Sequence, residues 1–348
     1  MLLSQFDQFR HEPPRAEDLR VLFMGGFWMG ANDLVKMYLR SLQDFGAEVC
    51  AYSTDSHRDA LDCGGRSYDY GYMGPVYLRY ERVRGLIEDF NPHLIVCCAG
   101  GLSFRDEDAA RLRERYCLIG VALSDPDVFP RNTAVIAKNF DRFFTNDRNA
   151  LPLYRSIGCE AIWLPFACYP PYHRRLPPDS RFSCDVLFVG QARPERVDLV
   201  RRIQSNFDTA LFGTGWDELG VPNRGRLSAE DVIAAINSAK VCLDFARNLA
   251  GDYMVKYRVF EFAGCGAVAC TERFDDLAAH FAYDREILGY DNEDELLNQI
   301  RTCLTRPEYR TWIGENAYTR SRAEHTFQHR WEMLIAEAWS ATGSAPIR

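Results

Sequence analysis

The sequence predicts a two-domain α/β fold with parallel sheets, and three observations carry that prediction. Short apolar runs alternate with amphipathic segments from one end of the chain to the other, which is the βα repetition that builds a parallel sheet. A polar, proline-rich stretch, "YPPYHRRLPPDSRFS" at 169–183, interrupts the alternation once, and the pattern then restarts. The length of 348 residues exceeds the roughly 250–300 residues at which one hydrophobic core stops growing.

In the first half "RVLFMGG", "EVCAYS", "HLIVCCAGG", "CLIGVAL", "RFFTN" and "AIWLPF" read as strands. Amphipathic segments such as "NDLVKMYLRSLQDFG" and "RYERVRGLIEDFNP" read as the helices between them. The second half runs "CDVLFVG", a helix over "RPERVDLVRRIQSNF", then "TALFGTGW". A helix over "AEDVIAAINSA" follows, introduced by Ser228 in a capping-box pattern. "KVCLDFA", "AVACT" and "EILGY" are the remaining strands, and a helix over "DELLNQIRTCLT" precedes a long helical tail from about 308 to 341. Two Rossmann-like halves of this kind place a cleft between the carboxyl ends of two sheets.

Charge and composition exclude several function classes. The net charge is −8, with 19 basic and 23 acidic residues up to residue 170 and 22 and 26 after it, so neither half offers the basic patch that nucleic acid or an anionic membrane needs. Twelve cysteines lack any C-x-x-C pair, and several lie in apolar strands, which fits a reducing, cytoplasmic setting. No window reaches the roughly 18 apolar residues of a membrane span, and the first residues do not read as a signal peptide. No histidine pair or cysteine pair has zinc-ligand spacing, and Walker and nucleophile-elbow motifs are missing. A metal is therefore not expected.

Several constellations carry chemistry. "MGGFWMGAND" places Gly25, Gly26 and Gly30 between a strand and a helix, either as a plain turn or as a loop that lets a ligand reach the helix N-terminus; it is not the G-x-G-x-x-G of a nicotinamide site. "SDPD" at 124–127 follows a strand, so Asp125 is a candidate general base, with metal binding or a simple Asp-Pro turn as alternatives. Residues 63–80 carry Tyr68, Tyr70, Tyr72, Tyr77 and Tyr80 on a Gly-rich loop leading into a helix. The first three suit an acceptor with apolar faces and hydroxyl partners, while Tyr77 and Tyr80 read as helix packing. "FVGQARPERV" offers Gly190 and Arg193 to a diphosphate, and Arg196 reads as solvent-exposed. In "VKYRVFEFAGCGAVACTE" Arg258 and Glu261 share one helix face in an apolar segment, as ligand contacts or as an i, i+3 salt bridge.

The order "FFTNDRNALPLYRSIGCEAIWLPFACYPPYH", "DVLFVGQARPERVDLV", "LFGTGW", "INSAKVCLDFARN", "VKYRVFEFAGCGAVACTE" and "HTFQHRWEML" resembles the CgeB-like (spore maturation protein-like) glycosyltransferases over roughly residues 140–335. The resemblance implies a GT-B fold: two Rossmann-like domains facing a central cleft, and a C-terminal helix that crosses back to the first domain. It implies an acceptor domain at 1–170, a nucleotide-sugar domain at 171–320 and a crossover helix at 321–348. Gly190, Arg193, Gly213, Arg258 and Glu261 would bind the donor nucleotide, with Gly25, Gly26 and Lys256 at the donor phosphates or a cleft loop. Related retaining families carry two glutamates with seven residues between them. Glu261 matches the second, which binds ribose hydroxyls, and the first falls on Tyr253, which leaves the stereochemical outcome open.

The resemblance implies transfer of a sugar from a nucleoside diphosphate, UDP above the others, to a small-molecule, glycan or protein acceptor, with no metal or other cofactor. Arginines and helix N-termini would stabilise the departing diphosphate. A nucleotide-sugar epimerase of the same fold and a catalytically silent sugar-binding scaffold are the alternatives.

Overall fold

The computed structural model describes residues 15–27, 33–65, 74–99 and 101–342, without the side chains of residues 341 and 342. It divides into two units, Met1–Pro165 with Phe327–Arg348, and Phe166–Thr326.

The first unit is built on a six-stranded parallel sheet in the order β2-β1-β5-β7-β8-β9. Its elements are β1 (Arg20–Gly25), α1 (Leu34–Asp44), β2 (Glu48–Ser53), β3 (Leu61–Asp62), β4 (Val76–Leu78), α2 (Tyr80–Phe90), β5 (Leu94–Cys98), β6 (Leu102–Phe104), α3 (Asp106–Arg113), β7 (Cys117–Ala122), α4 (Thr133–Ile136), β8 (Arg142–Thr145), α5 (Leu151–Ser156) and β9 (Ala161–Trp163). Every residue of β5 and β7 is buried, the reason these strands read as continuous apolar runs. Asp33 caps α1 by accepting from the N–H groups of Val35 at 2.9 Å and Lys36 at 3.4 Å. A second, three-stranded sheet, β3-β4-β6, is an element the sequence pattern does not show. Tyr77 therefore stands half-buried in β4, under the Arg105 guanidinium 4.9 Å from its ring centre, and not on a helix; Tyr80 opens α2.

The helical tail is two helices. α11 (Pro307–Glu324) ends at His325, and α12 (Phe327–Thr342) belongs with the first unit. Trp331 of α12 is fully buried and donates its indole N–H to Tyr38 O at 3.1 Å and Ser41 Oγ at 3.0 Å on α1. Phe327 meets the Tyr38 ring edge-on at 4.6 Å. Two large aromatic side chains removed from water are worth several kcal/mol at about 25 cal/mol per Å², so α12 is a structural part of this unit.

The second unit carries a five-stranded parallel sheet in the order β11-β10-β12-β13-β14. Its elements are β10 (Cys184–Val189), α6 (Val197–Gln204), β11 (Thr209–Phe212), α7 (Ala229–Ser238), β12 (Ala239–Leu243), α8 (Tyr257–Cys265), β13 (Ala269–Glu272), α9 (Asp275–Ala278), β14 (Leu288–Tyr290), α10 (Glu293–Thr305) and α11. Its core joins Val186 and Phe188 of β10, Val241 and Leu243 of β12, Trp216, Ile300 and Ile313. Ser228 caps α7, its Oγ accepting from Asp231 N–H at 3.1 Å. The proline-rich stretch is anchored inside this unit: Leu176 N–H donates to Asn237 Oδ1 at 2.9 Å and Asp179 N–H to Ser238 Oγ at 2.8 Å. All twelve cysteines are free, and all but Cys50 and Cys159 are buried. Among the described residues no helix is long and apolar enough to cross a membrane.

Candidate functional site

Parallel strands deliver their carboxyl ends to one edge of a sheet, where ligands of doubly wound folds bind. In the second unit that edge begins with Gly190 after β10 and Gly213 after β11. Gly213 has φ +147°, and a Cβ there would lie 1.9 Å from Gly190 O, so only glycine lets the two turns approach. Trp216 closes the junction by donating its indole N–H to the same carbonyl at 2.9 Å. Both glycines thus have a packing role at this edge.

A 3-10 turn at Pro194–Arg196 leads into α6 and is preceded by Arg193. The Arg193 side chain is only 20% exposed, with Glu195 at 3.9 Å. Arg196 departs from its expected exposure. It is half-buried, its guanidinium 5.1 Å and 5.8 Å from the ring centres of Phe245 and Phe188, and it donates to Gln191 O at 3.1 Å. Burial, helped by the like charge of Arg193, draws its pKa below the usual arginine value; a guanidinium starts high enough to stay charged at neutral pH.

α8 carries the densest cluster. Arg258 Nη1 stands 2.6 Å from Glu261 Oε2, and Glu261 is 1% exposed. The approach is not aligned for a hydrogen bond, and neither atom has another hydrogen-bond partner. On its other oxygen Glu261 faces His173 Nε2 at 3.4 Å. Tyr169 N–H donates to His173 Nδ1 at 2.7 Å, so the ring proton sits on Nε2, aimed at Glu261 and at the Tyr257 hydroxyl 3.1 Å away. The i, i+3 salt bridge is therefore present, and it leaves Glu261 Oε2 with unused acceptor capacity. Lys256 precedes α8 as its N-cap.

Asp244 was not picked out by the sequence pattern. It follows β12 at the same edge, is 6% exposed, and its Oδ2 is shielded from water with no hydrogen-bond partner. Burial raises its carboxyl to about 6, Glu272 adds to the shift, and Lys256, Arg258 and Arg196 oppose it. A lone acid closing an apolar parallel strand was the signal available, and "KVCLDFA" hid it among hydrophobic neighbours. The following loop is ordered by Arg247, which donates to Gly251 O at 2.7 Å and to the Tyr253 hydroxyl at 2.7 Å. Tyr253, where a first glutamate would fall, instead stacks on Phe274 at 5.3 Å.

In the first unit Asp125 is 1% exposed and accepts from Thr133 Oγ1 at 2.8 Å, Thr145 Oγ1 at 2.8 Å and Tyr154 Oη at 2.6 Å. Burial raises its pKa while those three hydroxyls oppose the rise. The arrangement ties β8 and α5 to the turn after β7; as the structure stands, the carboxylate is filled by the protein's own donors and turned away from solvent. Asp127 is exposed, and its like charge adds to the rise at Asp125; among the described residues no group of three or more metal-ligating side chains forms. Gly25 ends β1, and a Cβ there would meet Val35 Cγ1 at 2.8 Å, so close packing of α1 explains it; Gly26 follows, half-buried. Tyr68, Tyr70 and Tyr72, and Gly30, lie outside the described residues.

An α/β chain with two Rossmann-like units, parallel sheets and a last helix returning to the first unit has the GT-B architecture of glycosyltransferases. Residues 193–336 match the family described as "Glycosyl transferase-like", a span that includes Arg193, Arg196, Asp244, Lys256, Arg258 and Glu261. No curated protein sequence matches the chain. Among solved structures, sucrose-phosphate synthase from Thermosynechococcus elongatus aligns at a TM-score of 0.60 and 14% identity, over 93% of this chain and 100% of that one. HepE of Anabaena in complex with UDP-glucose gives 0.61 and 13% identity, over 93% and 100%. An alpha-glucosyltransferase in complex with UDP and a 13-mer DNA gives 0.62 and 10% identity, over 92% and 99%. Likeness at these identities establishes the fold.

Proposed function

We propose that the protein is a glycosyltransferase that moves a sugar from a nucleoside-diphosphate donor, a UDP-sugar before others, to a hydroxyl-bearing acceptor. The observation that carries this reading is the set of cations, Arg193, Arg196, Lys256 and Arg258, at the carboxyl edge of the second unit's sheet, inside the span that matches the glycosyltransferase family. The structural neighbours bound to UDP-glucose or UDP support the choice of nucleotide.

In this reading the second unit holds the donor. Arg193, Arg258 and Lys256 meet the diphosphate, and their charge stabilises it as it departs, the work that a metal performs in other enzymes. Glu261 accepts from ribose hydroxyls through the acceptor capacity that Arg258 leaves unused. The first unit holds the acceptor, with Tyr68, Tyr70 and Tyr72 contributing.

A thermal-shift panel of UDP, GDP, dTDP and their sugars tests the reading, since a ligand at ~100 times its Kd adds about 2.7 kcal/mol of stability. A responding nucleotide sugar should then transfer its sugar, or be slowly hydrolysed, with EDTA leaving the rate unchanged. Silence across the panel would refute the donor site. Epimerised donor in the absence of acceptor would favour the epimerase, and loss of turnover with EDTA, restored by magnesium, would refute metal independence.

A further inference from the structure

Asp244 is a buried acid among cations. Lys256 and Arg258 face it from the start of α8, Arg196 from the turn after β10, Glu272 from the end of β13 and the Tyr290 hydroxyl from β14. Its Oδ2 is shielded from solvent and has no protein donor to support a negative charge, so the surrounding cations favour its ionised form. Those cations are also the groups the donor reading assigns to the diphosphate. A diphosphate that engages Lys256 and Arg258 removes that support and brings negative charge to the same edge.

We propose that the donor site binds a nucleoside-diphosphate sugar together with one proton, and that Asp244 is the group that takes it up; this rests on the donor reading above. Protonated, Asp244 changes from a pure acceptor to a donor, so the orphaned oxygen gains an O–H to offer, and the like-charge conflict with the diphosphate disappears. Ionised, it opposes the ligand. Donor affinity therefore falls as pH rises above the range where free Asp244 titrates, by about tenfold for each pH unit until the ligand-bound group also ionises.

The test is calorimetric titration of UDP-glucose into the full chain at pH 7, in PIPES, HEPES and Tris, whose different ionisation enthalpies report protons exchanged on binding. UDP-glucose is a suitable probe because each of its phosphates carries one ester and one anhydride linkage, so neither titrates near neutrality. Wild type should take up a fraction of a proton approaching one, and Asp244→Asn should take up none. The variant should also bind with an affinity that stays flat from pH 6 to 8, and at pH 8 it should bind more tightly than wild type. Binding by wild type with no proton uptake overturns the inference while leaving the donor site intact, and so does equal uptake by the variant. If neither UDP-glucose nor the GDP and dTDP sugars bind wild type in any buffer, the donor reading falls and takes this inference with it. The wild-type measurement stands by itself if Asp244→Asn fails to fold.

Discussion

Glu261→Ala should damage stability and nucleotide binding together, and the structure sets the size of each effect. Glu261 lies between Arg258 and His173 with 1% exposure. Removing one member of a buried ion pair costs about 3–5 kcal/mol, because the other charge is left uncompensated. The Arg258 side chain is 24% exposed and can turn partly to water, so the lower end applies. For a unit of this size, about 3 kcal/mol corresponds to a fall in melting temperature of roughly 6–12 °C. If Glu261 also accepts hydrogen bonds from ribose, each worth about 1.5–3 kcal/mol to a charged group, UDP affinity should fall by roughly ten- to a hundredfold. Differential scanning fluorimetry and calorimetric titration with UDP read the two effects separately, and Glu261→Gln, which keeps the volume and removes the charge, should reproduce most of the stability loss. A melting temperature within a degree of wild type would refute the bracing role argued from burial. A large melting shift with unchanged UDP affinity would reduce Glu261 to a structural pillar and remove the ribose contact.

Gly213→Ala should cost about 1–3 kcal/mol, because its Cβ would overlap the Gly190 carbonyl and force the two turns apart; an unchanged urea midpoint would contradict the close approach. Tyr154→Phe removes the 2.6 Å hydrogen bond to Asp125 and should lower stability by roughly 1.5–3 kcal/mol with UDP affinity intact, whereas a matching loss of affinity would tie Asp125 to the donor site. Asp244 gives a pH test in the free protein. Its folded pKa of about 6 lies above its ordinary value of 3.8, so its contribution is fully present below 3.8 and is lost as pH rises through 6, a change of about 3 kcal/mol. Asp244→Asn should therefore gain stability over wild type between pH 4 and pH 7 by about that amount, and urea midpoints that keep a constant gap across this range would show that the acid is not desolvated.

Uniform burial made some strands legible in the sequence, while β2, whose burial is irregular, was read as a strand without it. β5 and β7 are buried at every position and leave an uninterrupted apolar run, and the Ser228 cap announces α7 locally. The sheet of β3, β4 and β6 was illegible because its strands are two or three residues long, too short for a period to be counted, whereas the equally short β9 was read from the longer apolar run "AIWLPF" around it. The break between α11 and α12 was illegible for a different reason. No glycine or proline marks it; the His325 carbonyl instead accepts from Cys168 N–H at 2.8 Å, a tertiary contact between segments distant in the chain. At α8 the i, i+3 spacing exposed Arg258 and Glu261 as partners, but His173, far earlier in the chain, could not be attached to them without coordinates.

The two buried acids show what strand position can and cannot decide. Asp125 and Asp244 each follow a parallel strand, β7 and β12, and topology alone gives both the same standing as candidates at a carboxyl edge. What separates them is the supply of donors. Asp125 collects hydroxyls from Thr133, Thr145 and Tyr154, and a carboxylate satisfied in this way is held in place by the fold it ties together. Asp244 leaves Oδ2 without a partner, and the cations around it offset part of that cost. An unsatisfied buried group is a free-energy debt that a ligand or a proton can relieve, whereas a satisfied one resists any change. On the proton-uptake proposal, Asp244→Asn rather than Asp125→Asn should be the substitution that alters how binding depends on pH.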